Sequence, residues 1–200
     1  MLMNRYFLFP LLLLLVAVAT HCKKKDFNIA GAKLQAQISL SSPDSTRPLI
    51  LAWVEGENGV NGFSGVSNAG TTDSLRIRYT AEINQGTDRL VFFTPSQTLP
   101  AGTAITDSLF LTFFSSAKFE RKDAGKAYLL FAFRSNSYQS ETNVAGTTVP
   151  FRITNVARSD DPISGSPVVK CRISYNLPVT RMGQEGFRIG GSAVVEFRKP

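Results

Sequence analysis

Apolar residues recur at every second position in short runs from Leu34 to the end of the chain, and no stretch keeps a helical period over ten residues. Successive side chains of a β-strand point to opposite faces, so this alternation predicts strands with one buried face. Groups that form turns, such as Asn61-Gly62 and Pro100-Ala101-Gly102, separate the runs. The runs lie at 34–40, 49–54, 75–80, 89–94, 108–115, 127–133, 149–156, 168–175 and 187–197.

Short strands with frequent turns and no alternation of strands with helices indicate an all-β fold. We expect a single antiparallel β-sandwich of about nine or ten strands, with a barrel as the alternative, because closure cannot be read from a sequence. Residues 27–200 are long enough for one buried core and form one predicted domain. Within it, Trp53 and Cys171 lie in apolar runs and are predicted to be core residues.

Two segments lack strand patterning. The segment 56–74 consists mostly of Gly, Asn, Ser and Thr, with Phe63 as its one aromatic residue, and is predicted to be one long loop. The segment 135–147 is polar with a single aromatic residue, Tyr138. Long loops at the ends of a sandwich often carry binding surfaces, and an exposed aromatic ring can stack on a sugar. Phe63 and Tyr138 are therefore the candidate ligand-contact residues, while the charged segment 116–125 is predicted to be a hairpin loop.

The first 21 residues have the layout of an export signal. Arg5 supplies the positive charge, and the apolar stretch Tyr6–Ala19 follows it. As a helix this stretch spans roughly 21 Å, which is short of a hydrocarbon core about 30 Å thick. A cleaved signal peptide is therefore predicted in preference to a transmembrane helix.

Cys22 follows the apolar stretch almost directly and is itself followed by the basic tether Lys23-Lys24-Lys25-Asp26. This arrangement resembles the lipobox of bacterial lipoproteins, and the lysine-rich tether is similar to that of Bacteroidota lipoproteins. The resemblance covers about 26 residues and implies that Cys22 becomes the first mature residue and carries a thioether-linked diacylglycerol. It departs from the usual pattern at Ala19, where Leu is commonest, and at His21, where a small residue is expected.

The departure at His21 leaves a second reading open. Ala17-Val18-Ala19 fits an ordinary signal-peptidase site, and cleavage after Ala19 would give a soluble periplasmic or secreted protein. The far end of the chain is also loosely similar to small uncharacterised lipoprotein domains of Bacteroidota, in the segments 151–156, 163–165 and 190–197. That resemblance implies paired terminal strands, and it supplies no function because those domains have no assigned activity.

The only histidine of the chain is His21, so a mature protein that starts at Cys22 has none. Catalytic triads, Cys–His pairs and histidine-ligated metals would then be excluded, and no phosphate-binding glycine motif is present. Two carboxylate pairs remain, Glu55/Glu57 and Asp160/Asp161. The first is too close to a turn to predict a glycosidase pair, and the second is predicted to be a solvated turn. We expect no catalytic residue, no metal and no cofactor.

The formal net charge of +7 falls to +6 without the signal and to +4 without the tether as well, and the remaining basic residues are scattered along strands. This distribution predicts no binding of nucleic acid. The leading hypothesis is a non-enzymatic lipoprotein that is anchored by Cys22 to an envelope membrane, most simply the outer one, and binds a glycan or an envelope protein. A structural or assembly component is the alternative, followed by a glycan hydrolase that uses carboxylates.

Overall fold

The computed structural model describes residues 29–115, 128–140 and 151–199. They form one large antiparallel sheet, curled into a half-barrel, and one short helix. The all-β prediction is therefore confirmed. The predicted signal peptide 1–21, the lipid-attachment residue Cys22, the tether 23–26 and the charged segment 116–125 lie outside the described residues.

The sheet has eleven strands. Their bounds are β1 (Gln35–Ser41), β2 (Leu49–Val54), β3 (Val60–Gly70), β4 (Ser74–Gln85), β5 (Asp88–Phe93), β6 (Gln97–Pro100), β7 (Tyr128–Phe133), β8 (Asn136–Gln139), β9 (Phe151–Asp160), β10 (Pro167–Arg181) and β11 (Gln184–Arg198). The helix is α1 (Asp107–Ser115). Most of the predicted runs are found as strands within a few residues of their expected ends, but three strands and the helix differ from the prediction.

Strand order along the sheet is β2-β1-β11-β10-β8-β7-β5-β4-β3, with β6 added beside β4 and β9 beside β10. The two ends of this path, β2 and β3, follow one another in the chain. They are linked by a turn in which Glu57 N donates to Val54 O (3.0 Å) and Val60 N donates to Glu57 O (2.9 Å). The curl of the sheet brings the start of β3 close to Leu34, which precedes β1.

The alternation of apolar and polar residues in the sequence matches the alternation of buried and more exposed positions in the structure. In β10, residues from Val169 to Val179 are buried at every second position, and their neighbours are exposed or half-buried. The inward-facing side chains of all strands meet in one core, where Trp53 and Cys171 are buried as predicted. Burial raises the pKa of the Cys171 thiol, which keeps it protonated and argues against a role as a nucleophile.

Helix α1 corrects the prediction of a strand at 108–115. Phe110, Phe113 and Phe114 are spaced three and four residues apart, so only a helix places all three on one face. All three are buried, and their ring centroids lie 5.1–5.2 Å from that of Tyr79. The helix begins where Thr106 accepts a hydrogen bond from Leu109 N (3.2 Å).

Both ends of α1 are also held by charged residues from the end of the sheet. Lys199 Nζ lies 2.6 Å from Asp107 Oδ1 at the start of the helix, and the guanidinium of Arg158 donates to Ser115 Oγ at its end. The apolar run at 108–115 is continuous, and a continuous run does not distinguish a buried strand from a buried helix. Packing of the three phenylalanines against the core decides in favour of the helix. Tyr79, which they contact, is buried, and its burial raises its pKa to about 12.

Strands β3, β6 and β8 were missed by the sequence reading. The segment 56–74 is not one long loop, because Val60–Gly70 pairs with β4 at every position. Its inward positions include Gly62 and Ser64, which are too small or polar to show an alternating apolar pattern. In the part of the chain that the structure describes, no helix is long and apolar enough to cross a membrane.

Candidate functional site

Phe63 lies on strand β3, opposite Glu82 of β4, and points to the outer face of the half-barrel. Its side chain is 57% exposed, which is unusual for a large apolar residue in a sheet. The expectation that it is accessible is met, although it stands on a strand and not in a loop. Phe63 is therefore one of several exposed apolar side chains that are available for contact with another molecule; the others are Ile50, Val156, Ile163 and Met182.

The strand that carries Phe63 is an edge of the sheet. Among the described strands, β3 pairs only with β4. The pairing runs over eleven residues with no register shift, and Ser67–Gly70 are all exposed. The sequence of β3 contains no charged residue and no proline. A long, regular and uncharged edge presents unpaired backbone groups on which another strand can add.

Strand β9, which also pairs with a single described neighbour, has the opposite character. It is ten residues long and carries Arg152, Arg158 and Asp160. Its pairing with β10 shifts register between Lys170 and Arg172, and Asn155 has a positive φ of 52°. Charges and bulges are the usual means by which proteins prevent pairing at an edge. Strand β9 is protected in this way, whereas the described residues show no such protection at β3 or at β2, the other uncharged end strand. Of these two edges β3 is the longer, with eleven residues against six.

The structure corrects the prediction for Tyr138, the second candidate ligand-contact residue. It lies on strand β8 and is only 5% exposed. Its ring packs against Phe131, at 5.9 Å between centroids, and edge-on against Phe187, at 5.4 Å. The expectation that Tyr138 lies in a binding loop is therefore wrong, because the core needs an aromatic side chain where β7, β8 and β11 meet. The segment 141–147 of the predicted loop lies outside the described residues.

One carboxylate of each predicted pair, Glu55 and Asp161, accepts hydrogen bonds from the backbone. Glu55 Oε2 accepts a hydrogen bond from Leu34 N (3.0 Å), and Glu55 N donates to Leu34 O (2.8 Å). This reciprocal pair ties the end of β2 to the residue before β1. Glu57 lies in the turn that follows.

Asp161 is buried, which corrects the expectation of a solvated turn at Asp160-Asp161. Its Oδ1 accepts hydrogen bonds from Ser164 N and Ile163 N, both at 2.9 Å, and its Oδ2 pairs with the Arg198 guanidinium. These backbone donors, together with Arg198, hold the pKa of Asp161 below its ordinary value. The carboxylate shapes the turn between β9 and β10.

The comparisons with known proteins give no family for this chain. No protein-family model, no curated protein and no solved structure matches it. Within the described ranges, no three His, Cys, Asp or Glu side chains lie together in a way that could hold a metal ion. The candidate site is thus the free edge of β3 from Phe63 to Gly70, named here the β3 edge. Sequence reasoning found Phe63 in it but missed the strand.

Proposed function

We propose that the protein is a lipid-anchored accessory module of the bacterial cell envelope that binds a partner protein through the β3 edge. The anchor is Cys22, whose position after the apolar stretch and before three lysines resembles a lipobox. Anchoring on the outer membrane remains part of the proposal. Two or three acyl chains would make membrane attachment lasting, because each buried CH₂ adds about 0.8 kcal/mol.

The short distance along the chain between anchor and domain supports this arrangement. Ile29 is buried at the start of the described part of the domain, and it lies seven positions after Cys22. Seven residues span at most about 25 Å when fully extended. A lipid on Cys22 would therefore keep the domain next to the bilayer, where its partners would be other envelope proteins.

The observation that carries the binding role is the unprotected β3 edge. A partner strand that adds to β3 would gain main-chain hydrogen bonds along Gly65–Gly70, and Phe63 would offer it an apolar contact on the outer face. A free edge that pairs with another strand favours a protein partner over a glycan, since among the described side chains Phe63 is the one aromatic residue with large exposure. No catalytic step is part of the proposal.

The anchor is tested by metabolic labelling with a fatty-acid analogue. We expect label on the wild-type protein and none on Cys22→Ala, with the unlabelled variant released from the membrane fraction. Cleavage after Ala19 would instead give an unlabelled wild-type protein with an N-terminus at Thr20. Label that persists on Cys22→Ala would contradict the assignment of the attachment residue.

The edge is tested by photo-crosslinking in the intact envelope. We expect a crosslinker at position 63 to give a discrete adduct, and a crosslinker at Ile163, which is 95% exposed, to give none. In the protein with the crosslinker at position 63, the further substitution Ser67→Lys should reduce the yield of adduct by about tenfold or more, because a charge at the edge opposes pairing. The matched control is Ser159→Lys on the protected edge of β9, which should leave the adduct unchanged.

The mass of the adduct separates the leading proposal from the structural alternative. An adduct with a different envelope protein supports an accessory role. An adduct of twice the mass of the chain would identify a second copy as the partner and replace the accessory role with self-assembly. Equal crosslinking from positions 63 and 163, or an adduct that survives Ser67→Lys, would rule out the β3 edge as the interface.

A further inference from the structure

A depression of about 360 Å³ lies on the outer face where β1, β10 and β11 run side by side. It is lined by Ser39 and Ser41 of β1, Asn176 of β10, and Arg188 and Gly190 of β11. Cross-strand pairing places them in two rows, since Ser39 and Asn176 both oppose Gly190, and Ser41 opposes Arg188. We name this set the Arg188 groove. It is separate from the β3 edge and does not depend on the function proposed for that edge.

Arg188 is held in the groove by an uncharged partner. Its Nε donates to Asn176 Oδ1 at 2.7 Å, which uses one of the five N–H groups of the guanidinium and fixes its orientation. Among the residues that the structure describes, no carboxylate lies within ion-pair distance of Arg188, although Asp44 and Glu185 belong to the same end of the sheet. The groove therefore presents an oriented positive charge that the fold leaves uncompensated.

The floor of the groove is open because position 190 is glycine. The backbone there does not require one, since Gly190 has no positive φ and a Cβ would meet its nearest neighbour, Tyr175 O, at an ordinary 3.7 Å. Glycine inside a strand costs stability and commonly marks a place where a ligand or another backbone approaches closely. With Gly190 as the floor, the hydroxyl groups of Ser39 and Ser41 and the guanidinium of Arg188 line the same space.

We infer that the Arg188 groove binds an acidic saccharide through one carboxylate. A guanidinium matches a carboxylate in geometry and can donate two parallel hydrogen bonds to it. The serine hydroxyls act both as donors and as acceptors, which suits the hydroxyl groups of a sugar ring. The groove is shallow and polar, and so it fits the end or edge of a glycan in preference to an apolar molecule.

The test is calorimetric titration of the full-length protein, purified from membranes in detergent, with trigalacturonic acid at low salt. We expect binding of the acid and at least tenfold weaker binding of its methyl ester, in which neutral methyl ester groups replace the carboxylates. Binding of the ester as tightly as the acid would overturn the inference. Inorganic phosphate is titrated in parallel, and equal affinity for phosphate would overturn the saccharide assignment.

Three variants locate the binding. Arg188→Ala should weaken binding of trigalacturonic acid by about tenfold or more, whereas Arg152→Ala, which removes one exposed charge from neighbouring β9, should leave it within about twofold. Asn176→Asp should abolish most of the binding while Arg188 and both serines remain in place, because the new carboxylate would pair with Arg188. Undiminished binding by Arg188→Ala or Asn176→Asp would place the ligand elsewhere and refute the inference.

Discussion

The two ends of the β10–β11 hairpin carry the same types of side chain on their outer face and use them differently. At one end, Lys170 lies 3.6 Å from Glu196, and Arg198 pairs with both Glu196 and Asp161. Lys170 also donates to the carbonyls of residues 30 and 32, which attaches the start of the domain to the sheet. Lys170, Glu196, Arg198 and Asp161 all take part in holding the chain together here, so we name this the paired end.

At the other end, the one partner that the described residues provide for Arg188 is the amide of Asn176, beside the open position Gly190. We name this the open end. The two arginines occupy the same strand of the same sheet, so strand propensity and burial do not explain why one is neutralised and the other is not. A side chain whose charge the described residues leave uncompensated is therefore a candidate for binding, whereas a compensated charge is part of the scaffold.

The largest effect on stability is expected for a substitution at Gly191, which adjoins the open end. A Cβ there would lie 1.9 Å from Gln37 O, and the residue has a φ of +146°. Gly191→Ala must therefore move the backbone of β1 or β11, and we expect it to lower the free energy of unfolding by about 3 kcal/mol or more. Urea denaturation measures this loss. A variant as stable as the wild type would mean that the close approach of β1 to β11 is absent.

Acidification should weaken the paired end, where Asp161 lies. The pKa of Asp161 is lowered in the folded protein, chiefly by the N–H groups of Ser164 and Ile163. A lowered pKa contributes stability above the pKa of the unfolded state, near 3.9, and this contribution is lost as the pH falls through the lower pKa of the folded state. We therefore expect part of the decline in melting temperature below about pH 4 to come from Asp161.

Two variants isolate this contribution. Asp161→Asn should be less stable than the wild type at pH 7 and should lose less of its remaining stability between pH 5 and pH 2. Arg198→Ala should lower the melting temperature at pH 7 and leave the decline with acid in place, because the backbone donors to Asp161 remain. Parallel melting curves for Asp161→Asn and the wild type at every pH would show that another group causes the decline.

The sequence predicted the scaffold better than the surface. Regular alternation identified β4, β10 and β11 because their inward positions are apolar and their outward positions polar, which is what one-sided burial requires. It failed at β3, whose inward positions include Gly62 and Ser64, and at α1, whose apolar run fits a strand and a helix equally well. In both cases the partner across the core decided the structure, and a single sequence does not contain that information.

The candidate functional residues also divide into those that the sequence could identify and those that it could not. Phe63 could be identified as an accessible aromatic residue from its polar surroundings, while Tyr138 had similar surroundings and became part of the core. Arg188 and Asn176 are twelve positions apart, and only the register of β10 on β11 brings them together. A cross-strand register depends on the turn and on every pair along both strands, so the groove could not have been predicted residue by residue.

Gly190→Ala should change the free energy of unfolding by less than Gly191→Ala does, and in the opposite direction. A Cβ at position 190 meets only ordinary contacts, so Gly190→Ala should keep the fold and raise the free energy of unfolding by about 0.5–1 kcal/mol. The same methyl group would stand on the floor of the Arg188 groove and should weaken binding of trigalacturonic acid. Urea denaturation and calorimetric titration of one preparation test both effects. Destabilisation by Gly190→Ala would mean that folding, not binding, requires glycine here.

The smallest effect on stability is expected for the arginine of the open end itself. Arg188→Ala removes one hydrogen bond to an exposed amide and no ion pair, so the free energy of unfolding at pH 7 should change by less than about 0.5 kcal/mol. Arg198→Ala provides the comparison, because it removes pairing to Asp161 and Glu196. Urea denaturation of the two variants should therefore separate them clearly. If Arg188→Ala destabilised the protein as much as Arg198→Ala, both arginines would belong to the scaffold, and the uncompensated charge would no longer argue for a binding site.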